Sequence, residues 1–223
     1  MSSDTFLANT VSAYALILAG ILCLLFCYLL GPQPRRWVIA YLGVFITGVP
    51  TVWYHGFGET YLAGIFDGGT NLLLVWLMQV AALWDGYSTR VRWGVAVGSG
   101  IINLSAIMTK LLVGPGFNKI FPVDLGDFGG FNISELVLIA GSLLAIGLLY
   151  GQINRLTRQS KNLLYFSTGL FFAGAIMASA GNHTVHLTIL AYHATWHVIG
   201  AFGFICLWGF NHSRFNLRQG STG

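Results

Sequence analysis

Seven long apolar segments are the feature of this 223-residue chain that most constrains its fold. Each is close to the roughly 20 residues that a helix needs to cross the hydrocarbon core of a bilayer. They are continuous apolar runs and not strands of alternating apolar and polar residues, so we predict an all-α, polytopic membrane protein. One seven-helix transmembrane domain would cover residues 1–223. The predicted spans are approximately residues 11–30, 37–54, 62–84, 93–113, 133–150, 163–180 and 187–210.

The low charge of the chain excludes a soluble protein. Charged residues make up 8% of the sequence and hydrophobic residues 55%, whereas soluble domains contain about 25% charged residues. Because basic residues are not clustered or interleaved with aromatic ones, we expect no nucleic-acid partner. Cys23, Cys27 and Cys206 all lie in apolar runs, so we expect core residues and not a disulfide or a metal site.

The basic residues between the predicted spans indicate the orientation of the bundle. Alternate connections and the C-terminal segment contain nine of them, which are Arg35, Arg36, Arg90, Arg92, Arg155, Arg158, Lys161, Arg214 and Arg218. Only Lys110 and Lys119 fall on the other side. The positive-inside rule then places the N-terminus outside and the C-terminus in the cytoplasm, which requires an odd number of spans. The N-terminal segment lacks the basic region of a signal peptide, so we expect the first span to be retained.

The last predicted span contains two histidines in the stretch ILAYHATWHVIG, residues 189–200. His193 and His197 are four residues apart, so both imidazoles project from one face of a helix. This is the spacing at which two histidines bind one metal ion in helical zinc sites. The predicted topology brings His55, at the outer end of the second span, to a similar depth. Three histidines would leave a fourth coordination position open for water, as in catalytic zinc sites.

Two polar residues accompany these histidines. Asp67 would lie one or two turns below the outer surface in the third span, where an ionisable residue is costly unless it faces the bundle interior or a polar cavity. Thr51 is one turn before His55, so its hydroxyl projects toward the same side.

Simpler interpretations of these residues remain open at this point. Histidines in membranes commonly form interhelical hydrogen bonds. Asp67 can also neutralise a neighbouring group or cap its helix, and a threonine in a helix commonly bonds its own backbone. His183 and His186 flank the last span and fit either solvated loop positions or a gating or ligand role.

The pattern Thr51-x-x-x-His55, then Asp67, then His193-Ala-Thr-Trp-His197 resembles the alkaline ceramidases. These enzymes belong to a superfamily of seven-span membrane proteins that includes the adiponectin and progestin receptors and the hemolysin III-like proteins. The orientation predicted above, with the N-terminus outside, is that of the ceramidase branch. The resemblance extends to all seven spans by topology and to about five positions by motif, of which the H-A-x-W-H form is the most specific.

The resemblance implies a zinc-dependent intramembrane hydrolase of a lipid amide, with the active site toward the extracytoplasmic leaflet. The expected partners are the bilayer and a membrane lipid substrate similar to ceramide, which would connect the protein with sphingolipid metabolism. The implied zinc ligands are His55, His193 and His197. Asp67 would hold and deprotonate the attacking water, and Thr51 would stand in place of the superfamily's serine. Trp196 would pack beside the metal and the scissile group.

The sequence departs from the ceramidases in two respects. Their acidic and aromatic N-terminal stretch binds calcium, but here only Asp4 is available, so we expect no calcium site. The interval from His55 to Asp67 is one residue longer than expected. The amide or ester of a different membrane lipid is therefore as acceptable a substrate as ceramide. The glycine-rich connection 114–132 is long enough to serve as a lid over the site.

Three other functions fit a bundle of this kind less well. A receptor or sensor with a structural zinc site would bind the metal without turnover, and this is the main alternative. A b-type haem protein would need axial histidines on opposite faces of the haem, whereas His193 and His197 share one helix face. A retinal protein would need a buried lysine in the last span, and residues 187–210 contain none.

Overall fold

The protein is described here from a computed structural model that covers residues 3–58, 60–114, 123–124, 130–131, 133–180 and 192–219. Within these ranges the chain forms seven α-helices, one short 3₁₀ turn and one pair of two-residue strands. The helices are α1 (Ser3–Leu29), α2 (Arg35–Phe57), α3 (Tyr61–Trp84), α4 (Thr89–Val113), α5 (Ile133–Tyr150), α6 (Arg158–Ala180) and α7 (Tyr192–Gln219). The antiparallel strands β1 (Val123–Asp124) and β2 (Gly130–Phe131) lie between α4 and α5. The prediction of a helical protein is confirmed.

Each predicted span coincides with one helix, but several helices extend beyond it. Helix α1 begins at Ser3 and α7 ends at Gln219, although the apolar segments were predicted as 11–30 and 187–210. Hydropathy detects only the apolar part of a helix, whereas backbone hydrogen bonding continues through polar residues at its ends. Residues 187–191, where the seventh predicted span begins, lie outside the described part of the chain.

Four helices are long and apolar enough to cross a bilayer. In the described part of the chain these are Leu7–Leu29, Arg35–Phe57, Tyr61–Trp84 and Thr89–Val113, and Ser134–Tyr150 is a shorter apolar helix. Large apolar side chains are also widely exposed, for example Tyr28 at 85%, Leu112 at 80% and Ile176 at 63%. An apolar outer surface of this extent is typical of a protein surrounded by lipid.

Helix α1 packs between α2 and α7 and brings these two distant parts of the sequence together. Its contact with α2 is close because glycines face the opposite backbone: a Cβ at Gly20 would lie 2.6 Å from Phe45 Cα, and a Cβ at Gly48 would lie 2.7 Å from Ile17 N. Small residues allow such close approach between membrane helices. Helix α2 also packs on α3, α3 on α4 and α5, and α6 on α7.

A buried ionic cluster joins three elements at the end of the bundle where α2 begins. Asp85, directly after α3, accepts hydrogen bonds from Arg36 Nε at 2.6 Å and from Trp37 Nε1 at 2.9 Å. Arg214 of α7 pairs with the same carboxylate, whose side chain is 2% exposed. The Arg214 guanidinium also donates to Asn211 Oδ1 at 2.8 Å. Since buried charges need such partners, this cluster ties α2, α3 and α7 together.

Two of the three cysteines lie in the core, as the sequence predicted. Cys23 and Cys27 of α1 are buried and Cys206 of α7 is half-buried, and all three are free thiols. Cys27 Sγ accepts a hydrogen bond from Trp208 Nε1 at 3.3 Å, so these residues belong to the packing between α1 and α7.

Candidate metal centre

Three histidines from two helices meet near one end of the bundle. His55 lies in the last turn of α2, and His193 and His197 lie in the first two turns of α7. The Nε2 atoms of His55 and His193 are 3.1 Å apart. One ring nitrogen from each of the three histidines falls within 4.8 Å of the others, and their arrangement can hold a metal ion. The grouping predicted from the i, i+4 pair and the shared depth of His55 is therefore confirmed.

The separation of two of these histidine nitrogens fits a small tetrahedral ion. Zinc–nitrogen bonds of about 2.0–2.1 Å place two ligand nitrogens about 3.3 Å apart, close to the 3.1 Å between the His55 and His193 nitrogens. The ring centroids are 4.8–5.2 Å apart in all three pairs. The same nitrogen separation also suits a direct hydrogen bond between two imidazoles.

The three histidines differ in their access to the surroundings. His55 is 1% exposed and His197 is 3% exposed, whereas His193 is half-buried. The cluster is therefore closed on the side of α1 and α2 and accessible beside His193. A ligand or substrate that reaches the histidines would approach from that side.

Asp67 is joined to α2 one turn from His55. The Thr51 hydroxyl donates a hydrogen bond to Asp67 Oδ1 at 2.6 Å, and Thr51 also lies 2.9 Å from the carbonyl oxygen of Thr47. Asn71 Nδ2 lies 3.4 Å from the same carboxylate oxygen. Four residues separate Thr51 from His55, a rise of about 6 Å along the helix. The pairing of Thr51 with Asp67 places an acid and a hydroxyl about one helical turn from His55 along α2.

Lys110, which the sequence analysis used only to set the orientation of the bundle, lies near Asp67. Lys110 of α4 places its Nζ over Gly68, where a Cβ would be 3.6 Å away. Tyr61, in the first turn of α3, donates a hydrogen bond to the Lys110 carbonyl oxygen. These contacts of Lys110 and Tyr61 pack α4 against α3 next to Asp67.

Trp196 packs at the interface between α6 and α7. A Cβ at Gly174 of α6 would lie 2.8 Å from Trp196 Cζ3, so the indole lies directly on that glycine. Trp196 thus supports the helix that carries His193 and His197. Its predicted contact with a substrate stays a prediction.

Residues of α1 complete the surroundings of the histidines, and the sequence analysis did not single them out. The Ser12 hydroxyl is 2.9 Å from His197 Nδ1 and donates to the Asn9 carbonyl oxygen at 3.0 Å. The Thr10 hydroxyl donates to the His55 carbonyl oxygen at 2.8 Å. Asn9 and Ser12 are 0% and 5% exposed. Asn9, Thr10 and Ser12 lie close together in the sequence, but no local pattern relates them to the histidines.

Several predicted features fall outside the described residues. His183 and His186 are among them, as is most of the connection 114–132 that was predicted to serve as a lid. The side chain of Asp4, on which the expectation about calcium depends, is also outside the description.

Comparison with known proteins found no matching family model, no matching curated protein and no matching solved structure. The resemblance to the ceramidases therefore depends on the motif residues alone and stays a proposal.

Proposed function

We propose that this protein is a zinc-dependent intramembrane hydrolase that cleaves the amide bond of a membrane lipid similar to ceramide. The observation that carries this proposal is the convergence of three histidine nitrogens within 4.8 Å of one another, with the Thr51–Asp67 pair one helical turn below. Soft metal ions that prefer thiolates and hard ones that prefer oxygen are disfavoured by an all-imidazole donor set, whereas zinc suits it.

His55, His193 and His197 would hold the metal, which when bound supplies a Lewis acid that polarises the scissile carbonyl and activates water. Asp67 would accept the proton of the attacking water and later return it to the leaving amine. Thr51, by donating to Asp67 Oδ1 at 2.6 Å, would orient the carboxylate for this transfer. Burial of the site among helices would exclude bulk water from the reacting groups.

We further propose seven membrane spans, with the N-terminus outside and the histidine cluster in the extracytoplasmic leaflet. Seven helices in the described residues, four of them long and apolar enough to cross a bilayer, support this arrangement. The distribution of basic residues supports the orientation. Lipid substrates would reach the cluster from the membrane, beside the half-buried His193.

The partial exposure of His193 favours an enzyme over a receptor or sensor with a structural zinc site. Structural zinc sites are closed by four protein ligands, whereas catalytic sites keep one position open. Among the described residues, the cluster offers three ligands of the usual types.

The first test is the metal content of the purified protein. We expect about one zinc ion per chain in detergent solution by elemental analysis, and loss of that zinc in His193→Ala because only two ligands remain. His212→Ala is the matched control, since His212 stacks on Trp208 on the same helix with ring centroids 4.8 Å apart and is expected to leave the zinc bound. A wild-type protein without zinc would overturn the proposed function.

The second part of the test is hydrolysis of lipid amides and esters in mixed micelles. Asp67→Asn keeps the shape of the side chain and is expected to retain zinc but to hydrolyse the substrate about 10²- to 10⁴-fold more slowly, the range that general acid–base catalysis contributes. A zinc-loaded protein that releases no fatty acid from any lipid tested would instead favour the sensor.

A further inference from the structure

We infer that Ser12 is a positioning residue, which fixes His197 in the tautomer that presents its Nε2 lone pair to the metal. This inference rests on the proposed metal site, but it concerns the protonation of a ring nitrogen that can be observed in the metal-free protein. Ser12 belongs to α1, which contributes no histidine to the cluster, and it is 185 residues away from its partner in the sequence.

The hydrogen bonds of the Ser12 hydroxyl determine which nitrogen of His197 is protonated. The hydroxyl has one proton, and the Asn9 carbonyl oxygen at 3.0 Å can only accept it. With its proton on this bond, the Ser12 oxygen accepts from His197 Nδ1 at 2.9 Å, so Nδ1 carries a proton.

A neutral imidazole protonated on Nδ1 has its lone pair on Nε2. Because Nδ1 is occupied by Ser12, Nε2 is the nitrogen of His197 that remains for a metal. Ligating histidines generally donate their second N–H to an oxygen in this way, which fixes the ring and makes it a better ligand. Ser12 and His197 are 5% and 3% exposed, so water does not replace the hydroxyl readily.

The tautomer is tested directly by ¹⁵N NMR of metal-free protein labelled at histidine, with the His197 signals assigned by their loss in His197→Gln. We expect protonated Nδ1 and bare Nε2 in the wild type, and a mixture of tautomers in Ser12→Ala. Observation of protonated Nε2 in the wild type would overturn the inference, and so would an unchanged tautomer in Ser12→Ala. This measurement stands even for a protein that fails to bind zinc, so it separates this inference from the proposed function.

Zinc affinity, measured by competition with a chelating dye, supplies the second readout. Removal of such a partner weakens metal binding about 10- to 100-fold, so we expect this loss of zinc affinity in Ser12→Ala. Ser12→Thr keeps the hydroxyl and is expected to bind zinc more tightly than Ser12→Ala does. Ser167→Ala is the matched control because its hydroxyl is buried and also contacts α7, by donating to the Gly203 carbonyl oxygen at 2.9 Å, far from the histidines. Equal losses in Ser12→Ala and Ser167→Ala would overturn the inference, because they would indicate a general effect on the packing of α7.

Discussion

Thr51 links Asp67 to α2, the helix that carries the proposed metal ligand His55. Its hydroxyl donates to Asp67 Oδ1 at 2.6 Å and it is 3% exposed. In Thr51→Val the carboxylate loses this donor while the β-branched shape is kept, so we expect zinc content to stay the same and lipid hydrolysis to fall about 10- to 100-fold. Thr51→Ser keeps the hydroxyl and should hydrolyse lipid at nearly the wild-type rate. Equal activity of the valine and serine variants would rule out a role for the Thr51 hydroxyl.

At this scale the sequence predicted the residues that have a chemical signature of their own. His193 and His197 share a helix face by their spacing, and Asp67 is conspicuous because a charge in an apolar span is expensive. Ser12 has no such signature, because a hydroxyl is tolerated in many helix positions. Its meaning comes only from a partner 185 residues away, which no local pattern can indicate.

The packing of α1 against α2 determines whether the site can form. Gly20 faces the Phe45 backbone and Gly48 faces the Ile17 backbone, which sets the antiparallel register of the two helices. Continued along both helices, this register brings Thr10 to the His55 carbonyl, where its hydroxyl bonds at 2.8 Å. A change at either glycine would therefore displace the residues of α1 that surround the histidines.

We expect Gly48→Ala to destabilise the protein by about 1–3 kcal/mol, as is typical of overpacking. The added Cβ would lie 2.7 Å from Ile17 N, and a backbone atom cannot move aside as the end of a side chain can. Gly98→Ala of α4 is the control, because nothing lies within 4 Å of its Cβ position and alanine favours a helix by up to about 1 kcal/mol over glycine. Thermal unfolding in detergent measures both, and a Gly48→Ala protein as stable as Gly98→Ala would contradict the close contact.

Hydropathy predicted the existence of the helices because the length and apolar content of each segment are local properties. The C-terminal bounds at Trp84, Val113 and Tyr150 agree with the predicted ones. The order in which the helices pack was beyond the sequence, since all seven segments are apolar on most sides and lipid-facing and core-facing positions look alike. The place of α1 between α2 and α7 therefore emerged only from the structure.

Two polar clusters lie toward opposite ends of the bundle. Nineteen residues separate Arg36, in the ionic cluster, from His55 on α2, which corresponds to about 28 Å of helix. Seventeen residues separate His197 from Arg214 on α7, or about 26 Å. These lengths are close to the roughly 30 Å of a bilayer's hydrocarbon core. The two polar clusters are therefore spaced as groups at the two interfaces of a membrane would be.

The orientation of the whole molecule follows from which cluster faces the cytoplasm. Most basic residues lie on the side of Arg36 and Asp85, so we expect that side to be cytoplasmic. Two introduced cysteines can test this orientation. One replaces Phe57, which is 79% exposed near the histidines, and the other replaces Ser88, which is exposed near Asp85. In a background with Cys23, Cys27 and Cys206 replaced by alanine, a membrane-impermeant maleimide applied to intact cells should label Phe57→Cys, and Ser88→Cys should react only after permeabilisation. Labelling in the reverse order would invert the bundle and place the histidine cluster in the cytoplasmic leaflet, where its lipid substrate would have to come from the inner face of the membrane.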